Sequence, residues 1–299
     1  MKKLQLKKVF TIVYAFLLAQ ISNVAAQSYS LTLPPNGGHQ KSTITQWLGL
    51  TSVSITYNGP NVYDRKGNSR KGHIWGELIP YGFNDPGGFG TALSSPWRCG
   101  ANEITQIFFS HNVLVNGKEI KAGTYGLMLA IDSVKPWTWI FSSNAVSWGT
   151  YYYSKEDDVL RVEAIPEENQ QTEWLSFIFD NRQPSSTNAW LLWDNKKVGF
   201  RIEVPDAIQL YVSKLKAELT SYAGFDYRNW IRAAQFCLDN KTNFSDALKW
   251  IDISMDSIRF NGQSSFRQLA LKTSLLKEMG ELEKAKAVIQ VAVNITNIS

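Results

Sequence analysis

The spacing of hydrophobic and polar positions changes near residue 205 and divides the chain into two halves. In residues 51–57 and 159–163, apolar and polar side chains alternate, which is the period of a half-buried β-strand. Further apolar runs of strand length lie at residues 104–110, 125–131, 137–141 and 174–179. About nine short strands separated by turn signals predict an antiparallel β-sandwich or jelly-roll-like domain over residues 27–205.

Two hairpins are indicated inside this half. Asn116-Gly117 lies between apolar runs and suits a two-residue turn whose central residues both have positive φ. Residues 190–193 and 198–204 are separated by the polar stretch Asp-Asn-Lys-Lys at 194–197. This second pattern also predicts two strands joined by a turn.

From residue 206 the apolar residues recur at the spacing of an α-helix. Pro205-Asp206 is a helix start signal, and the pattern predicts about five helices over residues 206–299. Ala247 and Ala285 recur 38 residues apart, which resembles tetratricopeptide helix pairs with their period of about 34, although a generic bundle of helical hairpins fits equally well. Because two such units bury no continuous core alone, we expect this half to dock on the β half or on a partner.

Residues 1–26 have the pattern of a secretory signal peptide. Four lysines precede an apolar run at residues 9–19, and Val24, Ala25 and Ala26 supply small residues for cleavage after Ala26. The run is shorter than the roughly 20 residues that span a bilayer, and no later segment is long and apolar enough to do so. The pattern predicts a soluble protein exported to the periplasm, the cell surface or the medium.

Removal of this segment changes the charge of the chain. The formal net charge of +5 falls to +1, because the segment carries four lysines and no acidic residue. The remaining chain lacks the basic footprint of a nucleic-acid-binding protein. Three histidines, none at ligand spacing, argue against a metal site, and no cofactor is predicted. Cys99 and Cys237 either bridge the two halves or remain buried thiols.

Seven motifs of the β half occur in an order and spacing that are typical of one family. They lie at residues 46–57, 74–82, 97–102, 122–125, 137–141, 148–151 and 158–162. In this ordered set the chain resembles DUF2911, a family of exported proteins with a domain of unknown function. The resemblance covers about residues 43–204 and implies an exported β-sandwich-like domain with no established activity.

The chain departs from the usual form of that family in three places. Residues 83–96, rich in Gly, Pro and Ser, intervene between a Tyr-Gly pair and Trp97-Arg98. Cys99 occupies a position where the family often has threonine, and residues 57–60 lack an arginine that often precedes the proline. If that arginine binds a ligand in relatives, this chain has lost or relocated the contact.

One cluster of residue types points to ligand binding. An arginine offers a planar fork of donors for a carboxylate, phosphate or sulfate, and an asparagine offers both a donor and an acceptor. Tyrosine and tryptophan offer flat apolar walls with polar edges, which suit sugars and aromatic ligands. The predicted ligand-binding residues are Trp97, Arg98, Asn102, Tyr125, Trp148 and Tyr151.

A structural interpretation of the same cluster stays open. Trp97 then belongs to the core, Arg98 pairs with an internal carboxylate, and Asn102 holds a turn.

The sequence favours a binding function over catalysis. It contains no Gly-x-Ser-x-Gly elbow. We therefore expect a non-enzymatic binding or assembly module of the periplasm or cell surface, with a small polar or glycan ligand, or a protein or peptide partner on the helices of residues 206–299. The alternative is a hydrolase that acts on a glycan or another envelope substrate, in which Arg98 orients the substrate and Glu103 or Asp158 acts as acid or base.

Overall fold

The computed structural model describes residues 38–260 and 264–296. The predicted signal peptide at residues 1–26 lies outside the described residues.

A six-stranded antiparallel sheet forms one layer of the β half. The period-two pattern of residues 51–57 is confirmed, because Val53, Ile55 and Tyr57 are all buried on one face. In spatial order the sheet consists of β1 (Gln40–Leu48), β2 (Thr51–Gly59), β3 (Thr105–Phe109), β6 (Gly123–Ala130), β7 (Trp137–Ser142) and β8 (Asp158–Ala164).

A four-stranded antiparallel sheet forms the second layer. It consists, in spatial order, of β5 (Lys118–Ile120), β4 (Val113–Val115), β10 (Ser186–Glu203) and β9 (Glu167–Gln183). The hairpin predicted at Asn116-Gly117 is confirmed. These two residues join β4 to β5 with φ values of 46° and 78°, the left-handed conformations that this turn requires.

The second predicted hairpin is wrong. Residues 190–193 and 198–204 do not pair with each other, because both belong to the single long strand β10. The polar stretch between them is an irregularity in the pairing with β9, centred on Asp194, which has φ 53°. The buried Asp194 carboxylate accepts hydrogen bonds from Gly72 N and Gln171 Nε2 at 3.0 and 2.8 Å. These contacts, which no local pattern encodes, hold the bulge in place of a turn.

Aromatic side chains fill the core between the two sheets. Trp139 on β7 meets Phe177 on β9 and Phe200 on β10, with ring centroids 6.4 and 5.1 Å apart. Tyr57 on β2 contacts Phe177 at 5.0 Å. Because rings from both sheets interdigitate, the β half has the face-to-face layering of a sandwich.

Helices follow the last strand, as the sequence predicts. They are α1 (Ala207–Leu219), α2 (Tyr227–Asp239), α3 (Phe244–Ser254), α4 (Ser257–Phe260), α5 (Phe266–Glu278) and α6 (Leu282–Thr296). A separate hydrophobic cluster joins α1 to α2, α3 and α5. Helix α1 also docks this half on the β half, because Ala207 and Leu210 pack against the β core. The likeness to tetratricopeptide pairs stays a prediction.

The two cysteines lie in different cores. Cys99 belongs to the core of the β half and Cys237 to the core of the helices. Both are buried free thiols, and burial raises the pKa of the Cys99 thiol well above its usual value. The thiol interpretation of these residues therefore holds.

Candidate functional site

A cavity of about 350 Å³ lies where the segment before β3 meets several loops and β10. Its walls come from residues that are far apart in sequence. They include His39, Pro60, Arg70, Asn84, Asp85, Ser95, Trp97, Arg98, Thr150, Tyr151 and Trp193.

Stacked tryptophans form the apolar wall of this cavity. The rings of Trp97 and Trp193 lie nearly parallel, with centroids 6.0 Å apart and an angle of 19° between their planes. Trp75 packs edge-on against both, at 5.8 and 6.0 Å. The backbone of Trp97 is fixed to β6 by two hydrogen bonds with Leu129, of 3.1 and 2.8 Å. These ring contacts and hydrogen bonds hold Trp97 in its place on the wall.

Two arginines bring positive charge to the cavity. Arg98 Nη1 donates a hydrogen bond to the carbonyl oxygen of Asn102 at 3.2 Å. Arg70 Nη2 donates to the carbonyl oxygens of Asn61 and Tyr63 at 2.7 and 3.1 Å. Neither guanidinium takes part in an ion pair with a carboxylate within the described ranges. Their charge therefore remains available to an anion.

His39 adds a third nitrogen group beside these arginines. Burial, followed by the positive charges of Arg65, Arg70 and Arg98, lowers the pKa of His39 below its ordinary value of 6.5. The ring is therefore neutral at pH 7. The same charges that lower its pKa indicate that this end of the cavity has a positive potential.

Several nitrogen atoms of the cavity residues have no hydrogen-bond partner among the described residues. Arg70 Nε, Trp193 Nε1 and His39 Nδ1 are buried without a hydrogen-bond partner in the part of the chain that the structure describes. Trp193 as a whole is 1% exposed. A buried donor without a partner costs about 1–3 kcal/mol. A ligand rich in acceptor oxygens would recover this free energy.

Hydroxyl and amide groups line the rest of the cavity. Ser95 Oγ and Thr150 Oγ1 lie 2.9 Å apart in a hydrogen bond, and Asn84 Nδ2 donates to Tyr81 O at 2.9 Å. Asp85 contributes the one carboxylate among the described lining residues, and its Oδ1 accepts from Gly87 N at 2.8 Å. The lining combines excess positive charge with neutral polar groups.

The inserted segment at residues 83–96 forms one wall. Asn84 and Ser95 exchange backbone hydrogen bonds of 2.9 and 2.8 Å and close the base of the loop. The amides of Thr91 and Ala92 both donate to Tyr151 O, at 3.0 and 2.9 Å. The insertion of residues 83–96, in which the chain departs from the usual form of the family, therefore lies at the cavity.

The structure brings together three of the six predicted ligand-binding residues. Trp97, Arg98 and Tyr151 line the cavity. Trp148 lies beside it and shares a second cavity with Tyr151.

Asn102 and Tyr125 do not reach the cavity. Asn102 has φ 60° and holds a turn, in which its carbonyl oxygen accepts from Arg98. Tyr125 is buried in the core against Phe109, and its hydroxyl donates to Lys121 O at 3.0 Å.

Sequence reasoning did not assign Arg70, His39 and Trp193 to the site. Their sequence positions are remote from Trp97-Arg98, and each is an ordinary residue in its own neighbourhood. Trp193 on β10 reaches Trp97 through ring packing and not through strand pairing, and His39 and Arg70 reach the cavity from outside the strands.

The acidic residues of the hydrolase alternative are engaged elsewhere. Glu103 Oε2 accepts from Asn58 Nδ2 at 2.7 Å. The nearly buried Asp158 carboxylate accepts from Arg161 Nε and from the Tyr153 hydroxyl at 2.7 and 3.0 Å. Neither carboxylate lines the cavity with Arg98.

Two further findings bear on the kind of site. Within residues 38–260 and 264–296, no three His, Cys, Asp or Glu side chains converge as a metal site would require. In the same residues, no helix has both the length and the apolarity to cross a membrane.

Fold and site together define a two-layered antiparallel β-domain with a basic, tryptophan-walled cavity, followed by helices. The chain belongs to the DUF2911 family, whose model, described as a protein of unknown function, matches residues 39–202. No curated protein and no solved structure matches the chain.

Proposed function

We propose that this protein is an exported binding protein that holds a small anionic ligand in the basic cavity. The ligand would carry a carboxylate, sulfate or phosphate group. The observation that carries the proposal is the convergence, on one cavity, of two arginines and of buried N–H groups that have no carboxylate or hydrogen-bond partner among the described residues. An anion with several oxygens would pair with the arginines and also satisfy the buried donors, because it accepts from guanidinium and indole N–H groups at once.

The composition of the lining favours binding over hydrolysis. A glycosidase of the common kind needs two carboxyl groups on either side of the scissile bond. Among the described lining residues Asp85 is the single one. No specific observation favours the hydrolase alternative.

Export is part of the proposal and is supported by the lysine-led apolar pattern of residues 1–26. Expression of the full chain in a bacterial host, followed by fractionation and mass spectrometry, tests it. We expect an exported chain that begins at Gln27. Retention of residues 1–26 in the cytoplasmic fraction would contradict it. A partner for the helices of residues 206–299 remains a prediction.

The binding proposal is tested by calorimetric titration with sulfate and with galacturonate. Arg98→Ala should weaken both affinities about tenfold or more, because a hydrogen bond to a charged group contributes about 1.5–3 kcal/mol. Arg98→Lys should recover part of the loss. Arg267→Ala, an exposed arginine of α5, is the matched control and should bind like the wild type. Equal affinities in all four proteins would contradict the proposal.

A further inference from the structure

A second cavity, of about 400 Å³, lies beside the basic one and has aromatic walls. Its residues are Phe89, Gly90, Trp148, Tyr151 and Tyr152. Trp148 and Tyr152 are 54% and 55% exposed, and Phe89 is 71% exposed. These rings therefore do not belong to the core. A group of exposed aromatic rings marks a contact surface for a ligand or partner.

The aromatic cavity and the basic cavity share one short segment of chain. Tyr151 lines both, and Thr150 lines the basic one. The guanidinium of Arg98 lies so close to Gly149 that a Cβ at this position would meet Arg98 Nη1. The residue before Gly149 is Trp148. The Arg98 guanidinium therefore lies against the same short segment, residues 148–152, that carries the exposed rings of Trp148 and Tyr152.

The inserted loop holds this arrangement in place. Phe89 packs edge-on against Tyr151, with ring centroids 5.8 Å apart. Gly90 lies against the backbone of Tyr151 so closely that a Cβ there would overlap its carbonyl group. Together with the hydrogen bonds from Thr91 and Ala92, these contacts hold Phe89 and Tyr151 in place. Ordered rings lose little conformational entropy when a ligand stacks on them.

We infer that the ligand of this site is an acidic oligosaccharide. The acidic group of one sugar unit would lie in the basic cavity, and a neighbouring ring would stack on Trp148 and Tyr152. The inference rests on the proposed function and specifies its ligand. A pyranose ring fits both parts because its C–H face suits an aromatic ring and its hydroxyl groups suit tyrosine and the Ser95–Thr150 pair. The charge of the adjoining cavity selects an acidic sugar over a neutral one.

The inference is tested by calorimetry of the mature chain with four probes. These are galacturonate, trigalacturonate, methyl-esterified trigalacturonate and 4-hydroxybenzoate. We expect trigalacturonate to bind about fivefold more tightly than galacturonate, because its neighbouring sugar ring can stack on the aromatic cavity. The methyl ester, which has the same rings without the charge, should bind at least about tenfold more weakly than trigalacturonate.

Variants test whether the aromatic cavity provides the tighter binding of trigalacturonate. Trp148→Ala and Tyr152→Ala should reduce the affinity ratio of trigalacturonate to galacturonate to near one. Trp47→Ala is the matched control, since Trp47 is 62% exposed on β1 and should keep the wild-type ratio.

Failure of this inference and failure of the proposed function give different results. If galacturonate binds and trigalacturonate binds no more tightly, the inference is overturned and the proposed function stands. If 4-hydroxybenzoate binds more tightly than trigalacturonate through Trp148, the ligand is an aromatic acid and the inference is also overturned. If neither sulfate nor any of the four probes binds, the proposed function itself fails.

Discussion

The guanidinium of Arg98 lies directly over Gly149, where a side chain on the glycine would meet Nη1. Gly149 also has φ +65°, a conformation that side chains rarely adopt. The glycine therefore serves the conformation of its own loop and the position of the arginine. This relationship makes it possible to move the anion-binding group without changing its charge.

Gly149→Ala should displace the Arg98 guanidinium and weaken sulfate binding several-fold. It should also lower the free energy of unfolding by about 1–2 kcal/mol, because alanine is strained at this φ. Calorimetry and urea denaturation measure the two effects. Gly280→Ala is the matched control, because Gly280 has φ +79° and nothing within 4 Å of an added Cβ. It should lose similar stability and keep wild-type binding; loss of binding in both variants would contradict the assignment.

Trp193→Phe should weaken anion binding, because it removes the unpartnered Nε1–H of a residue that lines the cavity. Trp139 is the natural control, since its Nε1 is also buried without a partner among the described residues but does not line the cavity. Trp193→Phe and the control Trp139→Phe should each lower the free energy of unfolding by about 1–3 kcal/mol through lost packing. Calorimetry should show weaker sulfate binding for Trp193→Phe only. Equal losses of sulfate affinity in the two variants would show that Nε1 of Trp193 does not contact the ligand.

Sulfate binding should strengthen as the pH falls from 8 to 5. Burial and the charges of Arg65, Arg70 and Arg98 lower the pKa of His39 below 6.5, so the ring is neutral at pH 8 and gains its charge as the pH falls through that lowered pKa. That charge attracts the anion, and by linkage a bound anion raises the pKa of His39.

A fall in pH has the opposite effect on the stability of the free protein. Because the pKa of His39 is lower in the folded chain than in the unfolded one, its contribution to stability is present above pH 6.5 and is lost as the pH falls through the folded pKa. His39→Gln should flatten both pH profiles. Profiles that are unchanged by this substitution would contradict the role of His39.

Asp85→Asn should raise the affinity for sulfate and for galacturonate several-fold. It removes the single carboxylate among the described lining residues, and the remaining amide oxygen can still accept from Gly87 N. Titrations at 20 and 150 mM salt measure the effect, which should shrink at higher ionic strength. An unchanged affinity at both salt concentrations would show that the anion lies far from Asp85.

The layers of the fold were predictable because burial follows the period of two in strands such as β2, and the change of period at residue 205 marks the start of the helices. The predicted turn at residues 194–197 is wrong, because the buried contacts of Asp194 with Gly72 and Gln171 favour a bulge within β10 over a turn. Those contacts join residues that are distant in sequence, and no local pattern reports them.

The candidate site was predictable only where it is local in sequence. Trp97 and Arg98 are adjacent, and Tyr151 belongs to a motif with Trp148. His39, Arg70 and Trp193 join them through ring packing and loop packing. Tyr125 has the right chemistry for a site, but the inward face of β6 places it in the core.

The proposed anion binds in the basic cavity against N–H groups that have no partner among the described residues. The most direct measurement is the indole N–H spectrum of ¹⁵N-labelled protein during titration with galacturonate, with the Trp193 signal assigned from Trp193→Phe. We expect the Trp193 Nε1–H signal to shift downfield and to saturate with the ligand, while the Trp139 signal stays in place. A Trp193 signal that does not move at saturating ligand, or equal shifts at Trp193 and Trp139, would contradict anion binding at the Trp193 side of the basic cavity.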